Sequence, residues 1–381
     1  MTNTGFGIYV HWPFCISKCP YCDFNSHVAE GPTDALRWSR AYIAELEHAA
    51  KETAGQTATS VFFGGGTPSL MAAETVAAVL DTVHRLWSVS ADAEITLEAN
   101  PSSAEASRFA AFADAGINRI SIGVQALDDE ALKFLGRTHG ATEARRAIAL
   151  AAQAVSRFSL DLIYARPGQT VAAWKQELAE VLTFGADHVS AYQLTIEKGT
   201  PFHKQRIPAA DENTGATLYQ STGVIMAEAG LTPYEISNYA RPGQESRHNL
   251  TYWRAEPYVG VGPGAHGRVT TPNGWLATRT VPGPTAWLKS VETRGHGRIA
   301  KEKLSPNERR EEAAMMGLRL LEGLRPEPFR AATGLDLREA FEPDRIARLI
   351  NGGFIEHDAA GLRCTAEGRL RLNAILETLL T

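Results

Sequence analysis

Three of the chain's four cysteines fall within eight residues, in CISKCPYC (15–22), while the fourth, Cys364, stands alone in GLRCTAEG. An odd cluster of thiols in a reducing compartment points to metal or redox chemistry rather than to paired disulfides. Structural zinc wants four ligands, and no second CxxC or HxxxH pair completes a tetrahedron. His11 and His27 flank the cluster, so a three-cysteine, one-histidine zinc site is the plain alternative. The spacing C-x3-C-x2-C (Cys15, Cys19, Cys22) suits a 4Fe-4S cluster better, because a tight loop lets all three sulfurs converge on one cubane. One iron then lacks a protein ligand and is open to a substrate or cofactor.

Further polar residues sit where strands would end. GGGTP (64–68) follows VFF, and three glycines with a threonine allow close backbone approach and offer donors and a hydroxyl to a ligand. Glu98 lies at the end of EITLEAN, Gln125 closes RISIGVQ, and Arg137 follows in LGRTH. Asp161 interrupts the apolar run SLDLIYA, and a buried carboxylate needs a partner. Taken singly, each reads more simply as a surface or structural residue.

Apolar, β-branched runs at 8–12, 60–64, 94–100, 119–125, 159–165 and 188–195 predict strands, with amphipathic helices between them at 34–53, 72–87 and 104–116. Six β-α units imply an α/β fold of parallel strands with right-handed crossovers, either a partial barrel or a doubly wound sheet. In both, ligands gather at the C-terminal ends of the strands, where the polar residues above fall. After the breaker-containing stretch TRGHGRIAKEKLSPNE, the chain reads as a second, mainly helical domain over 305–381, with helices at 306–322, 327–333 and 343–351, a hairpin and a last helix. Residues 1–304 form the first domain.

Helices followed by a hairpin suggest a winged helix, and with it DNA binding. From Ser305 onward there are eleven arginines, no lysines and thirteen acidic residues, and the whole chain carries a formal charge of -5. That balance argues against any nucleic-acid partner and favours a lid or docking role. The N-terminus lacks the features of a signal peptide, and no apolar run approaches the length needed to span a bilayer. A cytoplasmic protein, at most peripherally membrane-bound, is expected.

The C-x3-C-x2-C motif directly after a short strand, with Tyr21 before the last cysteine, resembles the radical S-adenosylmethionine superfamily. The resemblance implies an open (β/α)6 barrel, a 4Fe-4S cluster whose open iron chelates the methionine moiety of S-adenosylmethionine, and reductive cleavage of that cofactor to a 5'-deoxyadenosyl radical. It also implies site roles. Gly65, Gly66 and Thr67 would contact the cofactor's amino group, Glu98 would face the cationic cofactor, and Arg137 would pair with its carboxylate. Gln125 and Asp161 would serve the ribose and its surroundings, with Tyr9 and Tyr21 as further contacts.

Within the superfamily, YVHWPFC, GGGTPSL, DLIYARPGQT, SAYQLTIEKGTP and YEISNYARPGQESRHNLTYW together resemble HemW-type haem chaperones, relatives of oxygen-independent coproporphyrinogen III oxidase. Arg166 departs from the Gly-Leu usual before that proline. GPGAHG (262–267) fits G-x-G-x-x-G but lacks a following helix, so a dinucleotide fingerprint is rejected. It resembles instead a segment that closes over the cofactor site. HNLTYW (248–253) fits a motif associated with haem in this group, which implies His248 as an iron ligand and Tyr252 and Trp253 as ring walls, with Arg247 for a propionate. The oxidase pattern carries a fourth cysteine where this chain has Phe24. The reading is therefore a haem chaperone that passes haem to a haem-accepting protein, with the oxidase as the alternative.

Overall fold

The computed structural model describes residues 5–381. Its centre is one twelve-stranded mixed sheet. Seven consecutive members run parallel: Tyr258–Val261, Gly7–Trp12, Thr57–Gly65, Ser88–Ala99, Arg119–Gln125, Arg157–Tyr164 and His188–Gln193. Antiparallel strands extend both ends, with His266–Thr271, Gly274–Thr280 and Arg298–Lys303 on one side and Asn238–Ala240 and Thr232–Pro233 on the other. The two edges do not pair, so the sheet is an open partial barrel. Three expectations change here. A seventh parallel strand, Tyr258–Val261, joins the six, and the segment read as a breaker-rich linker contributes the edge strand Arg298–Lys303. The helix expected over 104–116 is two, Ser103–Ala106 and Phe109–Asp114.

Alternation along the strands divides the sheet into two unlike faces. Ile8, Val10, Leu97, Ile120, Ile122, Leu160, Leu162 and Val189 bury against helices on one face. The opposite face carries Tyr9, Glu94, Glu98, Arg119, Ser121, Asp161 and His188 in the alternate register. Glu94 is fully buried and pairs with Arg157 at 3.0 Å, with Arg119 beside it. Such a pair is tolerated because each charge has a partner.

Ala35–Ala50, started by Asp34 accepting from the Arg37 N–H at 3.0 Å, anchors the end of the seventh parallel strand through one buried carboxylate. Glu45 accepts from Gly262 N–H (2.6 Å), Gly297 N–H (2.7 Å) and Trp287 Nε1–H (2.9 Å). GPGAHG is thus a tight crossing between two strands, with Gly262 at φ +100°, where a Cβ would lie 2.4 Å from the His11 carbonyl.

A separate apolar cluster gathers Ala313, Leu318, Phe329, Leu349, Leu362 and Leu379 with Ala255 of the main body. It is built from Pro306–Gly317, Pro326–Thr333, Pro343–Asn351, the hairpin Ile355–Asp358/Gly361–Cys364 and two closing helices, Ala366–Arg369 and Leu372–Leu380. Proline opens three of these helices where its missing N–H costs nothing. Arg309 fastens the cluster to the sheet, its guanidinium 3.8 Å above the Trp275 ring and donating to the Ala255 carbonyl at 2.8 Å. No helix among the described residues is long and apolar enough to cross a membrane.

Candidate functional site

The first strand ends at Trp12 and hands the chain to the cysteine loop. Phe14–Cys15 pairs in parallel with His27–Val28, which closes the loop's base, and Cys22 N–H donates to the Cys19 carbonyl at 3.1 Å. Cys15, Cys19 and Cys22 are half-buried free thiols lining one cavity of about 440 Å³. Cys364 is buried in the C-terminal hairpin and takes no part. Burial, and then neighbouring thiols, push Cys15 upward, and burial does the same for Cys22. Three thiols on one short loop, all facing one cavity, fit a positively charged metal centre that would hold them as thiolates. Among the described residues no three His, Cys, Asp or Glu side chains converge on a single point.

The cavity opens at the C-terminal ends of the parallel strands, and Tyr21, Gly65, Gly66, Thr67, Glu98, Gln125, Arg137 and Asp161 all line it. Arg137 reaches across from behind the fourth predicted strand, donating to Gly123 O at 2.9 Å and lying 3.4 Å from Cys19 Sγ and 3.5 Å from the Tyr21 hydroxyl. Burial opposes its charge, but Tyr21 and Cys19 more than offset that and keep it cationic. On the far wall Glu98 is pushed up to about 8, first by burial and then by Asp161, and burial raises Asp161 as well. Two carboxyl groups this close favour a cation between or beside them. Gln125 takes φ +67°, a left-handed backbone rare outside glycine, as the strand breaks register to turn it inward.

The glycine turn departs from the expectation that it offers donors. Gly66 and Thr67 N–H already donate to Trp12 O (2.7 Å) and Phe14 O (2.8 Å), and Gly65 N–H to Glu98 Oε2 (3.2 Å). Its contribution is proximity, since a Cβ on Gly66 would lie 2.7 Å from Phe14 O. Likewise GPGAHG does not line the cavity; Pro263 O accepts from Asn25 of the cysteine loop instead.

Tyr9 lies off the cavity wall, its hydroxyl 2.9 Å from His11 Nδ1 and its ring stacked on Phe62 and His248. The haem-associated segment differs more. Arg247–Trp253 is one short helix, so successive side chains turn by about 100° and cannot share a wall. Arg247 points out to Asp92 at 2.8 Å. His248 is 1 % exposed, with Nδ1 at 2.8 Å from Ser60 Oγ and Nε2 at 2.7 Å from the Tyr252 hydroxyl. Trp253 faces the C-terminal helices under the Arg319 guanidinium. In this conformation the four residues form no common haem surface, and both His248 nitrogens are engaged.

The wall residues that escaped the sequence reading include Asn100, Ser121 and Tyr192. Asn100 accepts from Arg137 and donates to Thr67 Oγ1 at 3.1 Å, joining two predicted residues, and Ser121 donates to Asp161 at 3.1 Å. Asn100 stands one strand period beyond Glu98, which was the available signal. The departure at Arg166 is absorbed locally by Glu177, at 2.6 Å.

Comparison with known proteins agrees with this architecture. Residues 9–181 match the radical SAM superfamily and residues 304–371 the HemN C-terminal domain. The chain is 41% identical to the mitochondrial radical S-adenosyl methionine domain-containing protein 1 of Bos taurus, over 98% of this chain and 87% of that protein. It is 37% identical to the Heme chaperone HemW of Escherichia coli (98% and 97% covered) and 34% identical to that of Mycobacterium tuberculosis (100% and 96%). Its fold is similar to that of the coproporphyrinogen III oxidase HemN from Escherichia coli, with a TM-score of 0.81 and 21% identity over 99% of this chain and 90% of that one. A cysteine-lined cavity at the strand ends of an open α/β barrel, in a sequence related to these proteins along nearly its whole length, places the chain in the radical S-adenosylmethionine superfamily, in the family of the haem chaperone HemW.

Proposed function

We propose that this chain binds haem and delivers it to a haem-requiring protein, aided by a 4Fe-4S cluster on Cys15, Cys19 and Cys22 and by S-adenosylmethionine in the adjoining cavity. The observation that carries the reading is identity of 34–37% across nearly the full chain to proteins named Heme chaperone HemW. The cavity supports it. A bound cluster supplies the electron for cleaving the cofactor. The chain's own residues divide the binding: Arg137 holds a carboxylate, Glu98 and Asp161 meet positive charge, and Gln125 and Asn100 offer amide groups to the sugar side. Glu98 gives up its proton as the cation arrives, since a neighbouring positive charge lowers a carboxyl pKa. The C-terminal region, 305–381, serves as a docking domain, and the proposed compartment is the cytoplasm.

The oxidase alternative would use the same cavity, but Phe24 cannot supply the thiol of that pattern. Haem titration of the anaerobically reconstituted protein, with a coproporphyrinogen turnover assay alongside, tests the choice. Saturable haem binding with a shifted Soret band and no protoporphyrinogen is expected. Catalytic turnover of coproporphyrinogen would overturn the chaperone assignment.

A further inference from the structure

The cysteine loop carries an imidazole that the cavity does not use. His27 is exposed, and its Nε2 lies 3.3 Å from Asn25 Oδ1. Asn25 cannot be turned over, because its Nδ2 donates to both Pro263 O and Pro282 O at 3.0 Å. Its own carbonyl is further held by His11 Nε2 at 2.9 Å. With the amide nitrogen fixed, Oδ1 must face His27. In the neutral ring, Nε2 of His27 is therefore the protonated nitrogen and Nδ1 carries the lone pair. A neutral imidazole whose second nitrogen donates to a fixed oxygen is the arrangement in which histidines are held for metal ligation.

The surface around it is unusually apolar. Phe24 is 62 %, Ile16 54 % and Val28 51 % exposed, all within thirteen residues of one another. Ile16 and Phe24 line the rim of the cavity, and Val28 pairs with Cys15 across the base of the loop. Lys18 stands at the same rim, donating to Phe24 O and Ser26 O at 3.2 Å. Large apolar side chains clustered at an open mouth mark a binding surface. An apolar plate with one metal coordination position and acidic side arms matches an imidazole, an aromatic ring and an ammonium carried on one short loop, where Lys18 donates to the carbonyls of Phe24 and of Ser26, the residue before His27.

We propose that His27 Nδ1 is an axial ligand to haem iron, with the porphyrin resting on Phe24 and Ile16 at the mouth of the cofactor cavity and a propionate directed to Lys18. The proposal rests on the haem-chaperone reading and adds to it a site, on a loop segment distinct from His248, whose nitrogens are both engaged.

The test is titration of ferric haem into the full chain, reconstituted anaerobically with iron and sulfide, followed by Soret difference spectra and the spin state of the haem iron. His27→Ala should lose the histidine-ligated signature and weaken binding by about tenfold or more, free imidazole should restore the signature, and cluster content should be unchanged because His27 is exposed. Phe24→Ser should weaken binding while keeping the signature. If His27→Ala binds haem with the wild-type spectrum and affinity, the site is elsewhere and the chaperone reading stands. If the unaltered protein shows no saturable haem binding, the chaperone reading itself falls.

Discussion

The Arg137 guanidinium stands 3.4 Å from the Cys19 sulfur, and the same side chain is braced on the Gly123 carbonyl at 2.9 Å. One cation therefore links the cysteine loop to the strand ends, at the seam where a cofactor chelated by the cluster would place its carboxylate. Arg137→Ala should weaken S-adenosylmethionine binding by about 2–5 kcal/mol, as loss of a desolvated charge partner does, while leaving the cluster in place. Equilibrium binding to the reconstituted protein measures this; an unchanged dissociation constant would reduce Arg137 to a structural brace.

Cys15→Ala, Cys19→Ala and Cys22→Ala should each abolish the brown, oxygen-sensitive chromophore. Cys364→Ala should keep it, because that thiol is buried in the C-terminal hairpin. Iron and sulfide analysis after anaerobic reconstitution reads the result, and full cluster content in the Cys22 variant would sink the assignment.

Cofactor affinity should depend on pH through Glu98. Its folded pKa of about 8 lies above the ordinary carboxyl value, so below that pH the free protein holds a neutral acid that must lose its proton when a cation binds. Binding should thus tighten as pH rises toward 8, by at most about tenfold per unit, and level off above it. Glu98→Gln should flatten the difference. Parallel pH profiles for the two proteins would refute the role.

His248 makes the opposite kind of prediction, one about stability. Burial holds it down at about 3, so between that value and the ordinary 6.5 the unfolded chain binds a proton that the folded chain refuses. Stability should fall as pH drops through this window, with a slope of up to about 1.4 kcal/mol per unit from this group. His248→Ala should remove that slope and cost about 2–4 kcal/mol at neutral pH, since it opens a cavity and strands Ser60 and Tyr252 without their partner. Denaturant melts at pH 5 and pH 7.5 decide it.

The strands and the cysteine loop were legible because both signals are local: a period of two, and a fixed spacing of thiols. What the alternation could not say is which face closes around a ligand. EITLEAN shows Glu94, Thr96, Glu98 and Asn100 on one face, yet only contact with Arg157 and Arg119 makes Glu94 a buried ion and only Arg137 and Thr67 make Asn100 part of a wall. HNLTYW differs from its reading as a string for a related reason. A motif read as a string puts its residues side by side, whereas a helical turn sends His248 inward, Arg247 outward and Trp253 toward another domain. Tyr258–Val261 was missed because four residues with two glycines nearby give too short a run to distinguish from a turn.

The first strand, which carries the cysteines at its end, is paired on one side with Thr57–Gly65 but on the other with Tyr258–Val261. The crossing that follows the latter also supplies the Pro263 carbonyl that pins Asn25. During synthesis the three thiols therefore leave the ribosome about 240 residues ahead of the strand that completes their support, a delay of roughly 10–50 s at ordinary elongation rates. For that interval the cysteine loop is a nascent segment with half its scaffold. Metal delivered then meets an unfinished loop, and metal delivered after the last third of the chain has folded meets a formed one. The order of chain elongation thus sets when the loop's support is complete, only after the last third of the chain has begun to emerge.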